Sequence, residues 1–293
     1  MTAFLRPSPL APITGTDIPW SRSPHKRPCW RPLAVCFYAR PRVTLRILQL
    51  TDLHLGPRLD DARWAALDRL LGDLPSLAGT FDRLVLTGDL ATHGQPAVYR
   101  ALRARLQPWL HQLRLVPGNH DHAHLLRAEF SDRLLEGAPR ANFLDEVGGV
   151  RLVGLDSSRP WRVSGALGHA QLDWLARVLD PATPSLVFLH HPAVRIGTWW
   201  LDKDRLRDRD AFSAAIQGRG VQGVFCGHVH QEADGLLGAV PVWTTPSTAY
   251  QFKPGSLIPG TERRAAGFRV IEVTDGVVST SVVRRSSQQS LTA

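Results

Sequence analysis

From Val43 onward the apolar residues follow two alternating periods. Val43-Thr-Leu-Arg-Ile-Leu-Gln-Leu50 alternates in the manner of a strand and predicts one over 44–50. Trp64, Leu67, Leu70, Leu71 and Leu74 then recur at helical spacing and predict a helix over about 60–78. The same rhythm continues with a strand at 83–86, a helix at about 97–110 and a strand at 113–116. Further on come a helix at about 169–179, a strand at 185–189, a helix at about 205–217 and a strand at 221–226. After that the helices stop, and the runs 240–245, 267–274 and 277–283 read as strands. Repeated βα units closed by antiparallel strands predict an α/β fold.

Polar motifs sit just past the C-terminal ends of five of these strands. They are Asp52-Leu-His54, Gly88-Asp89, Gly118-Asn-His-Asp121, His190-His-Pro192 and Gly227-His-Val-His230. Ligands in open α/β sheets gather outside such strand ends, so the five motifs are expected to converge on one site. Asp52 and His54 are two residues apart, as are His228 and His230; strand alternation would project each pair to one side.

Carboxylates with imidazoles suit divalent manganese, iron or zinc, and no cysteine stands among the motifs to suggest a structural zinc site. One ion is expected to take Asp52, His54, Asp89 and His230, and a second Asp89, Asn119, His190 and His228. Two ions about 3.5–4 Å apart would hold a shared hydroxide for in-line attack at phosphorus. His120 is expected to donate a proton to the leaving oxygen as general acid. Asp121 is expected to steady its ring by a hydrogen bond.

This order of motifs resembles the calcineurin-like metallophosphoesterases over about residues 45–285. The resemblance implies a four-layer α/β/β/α sandwich and the ligand set given above, with His190 preferred to His191. Leu50-Thr-Asp-Leu-His-Leu55, Thr87-Gly-Asp-Leu90, Thr245-Pro-Ser-Thr248 and Gln251-Phe-Lys-Pro254 are similar to the bacterial class III 3′,5′-cyclic nucleotide phosphodiesterases. That finer likeness implies hydrolysis of cyclic AMP to AMP, iron or manganese as the two metal ions, and AMP contacts at His54, Asp89, Asn119, His120 and His230. The third motif ends in Asp121, and Gly88-Asp89 continues Leu-Ala-Thr-His-Gly94; both depart from the protein phosphatase branch and disfavour protein substrates. Another small phosphodiester (a 2′,3′-cyclic nucleotide, a glycerophosphodiester or a nucleic acid end) is the alternative substrate, and a scaffold without catalysis is the non-enzymatic alternative. The specificity-determining walls are expected in the loops 155–168, 195–210 and 245–262.

Other residues have blander expectations. His191 adjoins a ligand and is expected to pack or to support it. His93, His122, His124 and His169 are expected at the surface or in local hydrogen bonds, although His122 and His124 could line the pocket. Trp199-Trp200 reads equally as a lid over substrate or as a helix start anchored by two indoles.

The net charge of +9 would suggest a nucleic-acid partner if it were spread over the fold. It is not: residues 1–43 hold seven cations against one acid, which leaves a net +3 for the other 250 residues. A nucleic-acid partner is therefore disfavoured, and the partner that the resemblance implies is a small phosphodiester substrate. Three cysteines are too few for a disulfide framework. No apolar run reaches the roughly eighteen residues of a membrane span, and a cytoplasmic monomer or homodimer is expected.

Residues 1–43 contain eight prolines and no sustained period. They are expected to form a basic, disordered extension, followed by the catalytic domain over 44–285 and a tail over 286–293. Met1 is the sole methionine, and translation starting at a valine codon near Val43 would leave the extension out of the native chain. That start is the alternative to a disordered extension, and N-terminal sequencing of native protein that found Met1 or its neighbours would refute it.

Overall fold

The computed structural model describes residues 44–284; the expected extension over 1–43 and tail over 286–293 lie outside the described residues. The first half of the fold comprises β1 (Thr44–Leu50), α1 (Ala62–Ala78), β2 (Arg83–Thr87), α2 (Pro96–Arg105), β3 (Leu113–Val116) and α3 (Ala123–Glu129). The middle comprises β4 (Phe143–Val147), β5 (Val150–Leu155), α4 (His169–Val178), β6 (Ser185–Leu189), α5 (Trp199–Asp202), α6 (Arg209–Ile216) and β7 (Val221–Cys226). The strands β8 (Ala233–Leu237), β9 (Val240–Thr244), β10 (Gln251–Phe252), β11 (Thr261–Glu262), β12 (Gly267–Thr274) and β13 (Val277–Arg284) complete it.

Two sheets result, in the orders β13-β12-β1-β2-β3 and β4-β5-β6-β7-β9-β8, with β10 and β11 as a separate hairpin. Strand parity explains their stacking. In β1, Leu48 and Leu50 face a core shared with Trp64, Leu71, Tyr99 and Leu126 of α1–α3. Leu45 and Ile47, on the opposite face, meet Phe188 of β6 and Phe225 of β7. In the second sheet Val187, Leu189 and Val224 turn the other way, onto Leu175 of α4 and Phe212 of α6. Helices, sheet, sheet and helices therefore stack in four layers, the α/β/β/α sandwich that the motif resemblance implies.

Two helix boundaries differ from the sequence reading. The helix expected over 97–110 ends at Arg105 and gives way to a 3₁₀ turn over Gln107–Trp109, because Pro108 has no N–H to donate to a continuing helix. The helix expected from 205 begins at Arg209. Asp208 instead accepts hydrogen bonds from the backbone N–H groups of Leu167 and Gly168. The sequence reading does not include α3, β4, β5 and β8; in β4 and β8 the charged or small residues Asp145, Glu146, Asp234 and Gly235 interrupt the apolar pattern. The terminal strands do not simply extend the sheet beside them: β12 returns to pair antiparallel with β1, so first and last segments share one sheet.

Near the motif-bearing strand ends the dry layer between the sheets is crossed by polar side chains. The Gln49 amide donates to Thr87 Oγ1 (2.9 Å) and to the Cys226 carbonyl (3.2 Å), and its oxygen accepts from Thr245 Oγ1 (2.7 Å). Arg269 donates to Thr245 Oγ1 (3.0 Å) and the Thr244 carbonyl (2.8 Å); its burial lowers the guanidinium pKa to about 10. These bonds fix the spacing of the two sheets directly behind the motifs. Gln49→Leu keeps the side-chain size but strands the groups on the facing sheet. It is expected to cost about 2–4 kcal/mol, read as a lower urea midpoint; an unchanged midpoint would show that the crossing carries no stability.

Candidate metal centre and active site

Each motif enters the site through a backbone made for close approach. The first two run side by side: Asp52 N–H donates to the Gly88 carbonyl (3.0 Å) and His54 N–H to the Asp89 carbonyl (2.9 Å). Asp52, His54, Asp89, His228 and His230 all have left-handed φ, between 45° and 70°. The pairs Asp52/His54 and His228/His230 therefore do not reach one side by strand alternation, as the sequence suggested; tight turns beyond the strand ends aim them. Such conformations are uncommon outside glycine and concentrate at functional sites. Glycine is needed beside them. A Cβ on Gly227 would stand 2.7 Å from Asp52 Oδ2, and one on Gly118 would meet Asp89.

The two carboxylates are built alike. Asp52 Oδ2 accepts from Thr51 Oγ1 (2.7 Å) and His228 N–H (3.0 Å), while Oδ1 has no hydrogen-bond donor. Asp89 Oδ1 accepts from His120 N–H (2.9 Å), while Oδ2 faces His54 Nε2 (3.7 Å) and His190 Nε2 (3.4 Å). Each acid thus fixes one oxygen on backbone and presents the other to the centre. The imidazoles do the same. His190 Nδ1 donates to the Thr87 carbonyl and His230 Nδ1 to the Tyr250 carbonyl, both at 2.8 Å, which leaves each Nε2 for the site.

Around Asp52 Oδ1 stand His230 Nε2 (3.1 Å) and His54 Nε2 (3.9 Å), and those two nitrogens are 3.0 Å apart. On the other side of Asp89, His190 Nε2 lies 3.2 Å from Asn119 Oδ1. The His190 and His228 rings are 5.1 Å apart. Asp52/His54/His230 and Asp52/Asp89/His190 each bring their ligand atoms within 4.8 Å of one another. The buried atoms Asp52 Oδ1 and His228 Nε2 have no protein partner. A buried carboxylate oxygen and a buried imidazole nitrogen, both unsatisfied, are costly in a protein; two cations would satisfy them. The residues fit two metal ions.

Protonation in the metal-free protein points the same way. Burial pushes the Asp52 carboxyl up, but the imidazoles of His230 and His190 outweigh it and hold it at about 2. Burial would lower His190, yet Asp89 and Asp52 raise it to about 9, so the imidazolium charge offsets the carboxylates. Burial brings His54 down to about 4 and holds His228 well below the usual imidazole value, keeping both neutral as ligation requires.

One expectation fails. Asp121 does not hold the His120 ring. Its carboxylate accepts from the backbone N–H of Leu90 (3.1 Å), Ala91 (3.1 Å) and Gly118 (2.9 Å) and from Tyr99 Oη (2.9 Å), which ties the second motif to the third. The His120 ring, exposed to solvent, is held through Nδ1 by the Thr92 carbonyl (3.1 Å). His191 has both nitrogens engaged, with Ser157 Oγ and the Val163 carbonyl, each at 2.8 Å. It lines the back of the centre and has no nitrogen left to offer it.

The Thr245–Thr248 segment is a brace. Ser247 Oγ donates to the Asp52 carbonyl (2.8 Å) and Thr248 N–H to the Thr51 carbonyl (3.1 Å). Phe252 stacks on His230 at 4.3 Å, and Trp200 abuts Phe252 edge-on at 4.9 Å. Trp200 is thereby an anchor, as the second reading of that dipeptide held, while Trp199 is exposed with Lys203 Nζ 3.3 Å over its ring.

An 880 Å³ cleft opens beside Asn119 and His120. Of the three loops expected as walls, the first lines this cleft through 156–163 and the third stands against His230 through Tyr250 and Phe252; the segments 122–127 and 138–141 wall the cleft too, and His93, His122 and His124 line it as well. Thr92, Tyr99 and the cleft arginines carried no motif that sequence reading could have caught.

The calcineurin-like phosphoesterase family model matches residues 45–232. The chain belongs to the calcineurin-like phosphoesterase family. Among its relatives is a cAMP/cGMP dual specificity phosphodiesterase of Mycobacterium tuberculosis, 33% identical over 83% of this chain and 80% of that protein. The 3′,5′-cyclic adenosine monophosphate phosphodiesterases CpdA of Pseudomonas aeruginosa and Escherichia coli are 33% and 32% identical, over 81% and 82% of this chain and 89% and 90% of theirs. The inner membrane complex anchor of Plasmodium shares the fold at TM-score 0.51 and 14% identity, covering 82% of this chain and 84% of the other. Among the described residues, no helix of this phosphoesterase is long and apolar enough to cross a membrane.

Asp121→Ala removes three hydrogen bonds to two motif loops and one to Tyr99 of α2, and is expected to destabilise the protein by about 3–5 kcal/mol. His120→Ala, at an exposed ring, is expected to stay within about 0.5 kcal/mol of wild type. Equal chemical stability of the two variants would refute the scaffold role assigned to Asp121.

Proposed function

We propose that this phosphoesterase is a dinuclear metal-dependent phosphodiesterase that hydrolyses 3′,5′-cyclic AMP to AMP. The observation that carries the reading is the convergence of Asp52, His54, His190, His228 and His230 on Asp89, with buried ligand atoms left unsatisfied by protein. The relatives named as cyclic AMP phosphodiesterases, similar over four fifths of the chain, support the substrate.

Asp52, His54, Asp89 and His230 would hold one ion, and Asp89, Asn119, His190 and His228 the other; iron and manganese suit this oxygen and imidazole set. When bound, the pair supplies Lewis acidity, polarising the phosphate and lowering the pKa of water toward about 7. The remaining work falls to the chain. The Asn119 amide N–H groups and the His120 ring orient the phosphate at the edge of the cleft. The His120 ring lies 5.0 Å from that of His54 and is steered by Thr92. Its Nε2 donates a proton to O3′ as the P–O3′ bond breaks, while the attacking water gives a proton to bulk solvent and forms the new P–O bond; solvent then reprotonates His120. Tyr250 and Phe252 shield the His230 side of the centre, with rings 4.5 and 4.3 Å from that imidazole.

Purified protein loaded with manganese or iron is expected to convert cyclic AMP to AMP, and a chelator to stop the reaction; a loaded protein without turnover would overturn the reading. His120→Ala is expected to lower kcat by about 10²–10⁴-fold with metal content retained. Asp89→Ala is expected to lose metal and activity together, and full activity in that variant would contradict its position between the two ions.

A further inference from the structure

The cleft wall carries one residue whose conformation neither the metal centre nor the core explains. Arg162 N–H donates to the Arg159 carbonyl (3.2 Å) and closes a four-residue turn, with Pro160 second and Trp161 third. Trp161 has φ of 61°. A turn with proline second and a left-handed third residue ordinarily takes glycine or asparagine there, and a bulky side chain is an outlier. Burial does not compensate, for Trp161 is 92% exposed. Backbone strain kept without a packing return points to function.

The surroundings indicate which function. Trp161 lines the same cleft as Asn119 and His120. Its ring neighbour there is His122, edge-on at 6.1 Å, and Arg159 and Arg162 flank it in the turn and in the cleft wall. A rigid two-ring aromatic surface, open to solvent and bordered by guanidinium groups, is the chemistry that stacks on a nucleobase next to a phosphate.

We propose that Trp161 is a specificity-determining residue of this site, the platform on which the base of a nucleotide stacks while its phosphodiester lies at Asp89. The proposal rests on the nucleotide-phosphodiesterase reading. It adds that the protein holds the base by its face, which every nucleobase offers, so recognition favours nucleotides over simple phosphodiesters without strong choice among bases.

The test uses the metal-loaded full chain as wild type, Trp161→Ala and Trp161→Phe. Kinetics are measured on cyclic AMP and on the base-free 3′,5′-cyclic phosphate of 1-deoxyribose, and AMP binding by calorimetry. In Trp161→Ala, KM for cyclic AMP is expected to rise and AMP affinity to fall about tenfold. The ratio of kcat/KM for cyclic AMP over the base-free compound is expected to fall by the same factor, and Trp161→Phe to recover most of it. Equal losses on both substrates, or unchanged KM and AMP affinity, would overturn the platform. If the wild type turns over neither substrate, the phosphodiesterase reading fails separately and AMP affinity alone decides Trp161. A tenfold weaker complex in Trp161→Ala then sustains the proposal; an unchanged one, or no AMP binding to wild type, overturns it.

Discussion

Two buried carboxylates facing one small volume are the constraint around which this protein is built. Asp52 and Asp89 are 0% and 2% exposed, and each raises the other's cost of ionisation. Charges buried in this way are several kcal/mol unfavourable unless paired. Each acid gives one oxygen to backbone and hydroxyl donors and keeps the other for the centre. Without metal, the raised pKa of His190 supplies a compensating proton; with metal, cations take that role. Stability and metal affinity are thus coupled through the same few atoms.

The sandwich makes this arrangement possible. The motifs lie on turns after β1, β2, β3, β6 and β7, which belong to two different sheets. The spacing of those sheets sets the spacing of the ligands. Gln49 and Arg269 fix it from behind, the former joining β1 to the ends of β2 and β7. Asp121 fixes it laterally, gathering backbone donors from the second and third motifs. The left-handed residues at the ligand positions can persist because these surrounding bonds over-determine the turns.

Much of the fold and nearly the whole cluster were legible beforehand, for a physical reason. Strands such as Ser185–Leu189 are near-continuous apolar runs, since both faces of the sheet are buried there. Ligand chemistry needs particular side chains, so Asp89 and His228 declare themselves by type and by place after a strand. The supporting contacts do not. Thr92 serves His120 through a backbone carbonyl, which any residue could provide. Tyr99 looks like an ordinary buried helix residue until its hydroxyl is found on Asp121. Short elements such as α3 escaped notice because one or two turns give no period to count.

The sequence by itself determined which carboxylates and imidazoles are candidates to hold metal, that they follow successive strands, and that helices alternate with those strands; local side-chain chemistry and periodicity encode all of this. Tertiary structure alone decided which atoms meet. It gave Asp121 to the scaffold and His120 to Thr92, engaged both nitrogens of His191, and added 122–127 and 138–141 to the cleft walls. Those outcomes depend on distances between segments far apart in the chain. Such distances follow from how two sheets and their helices pack, which no local pattern records.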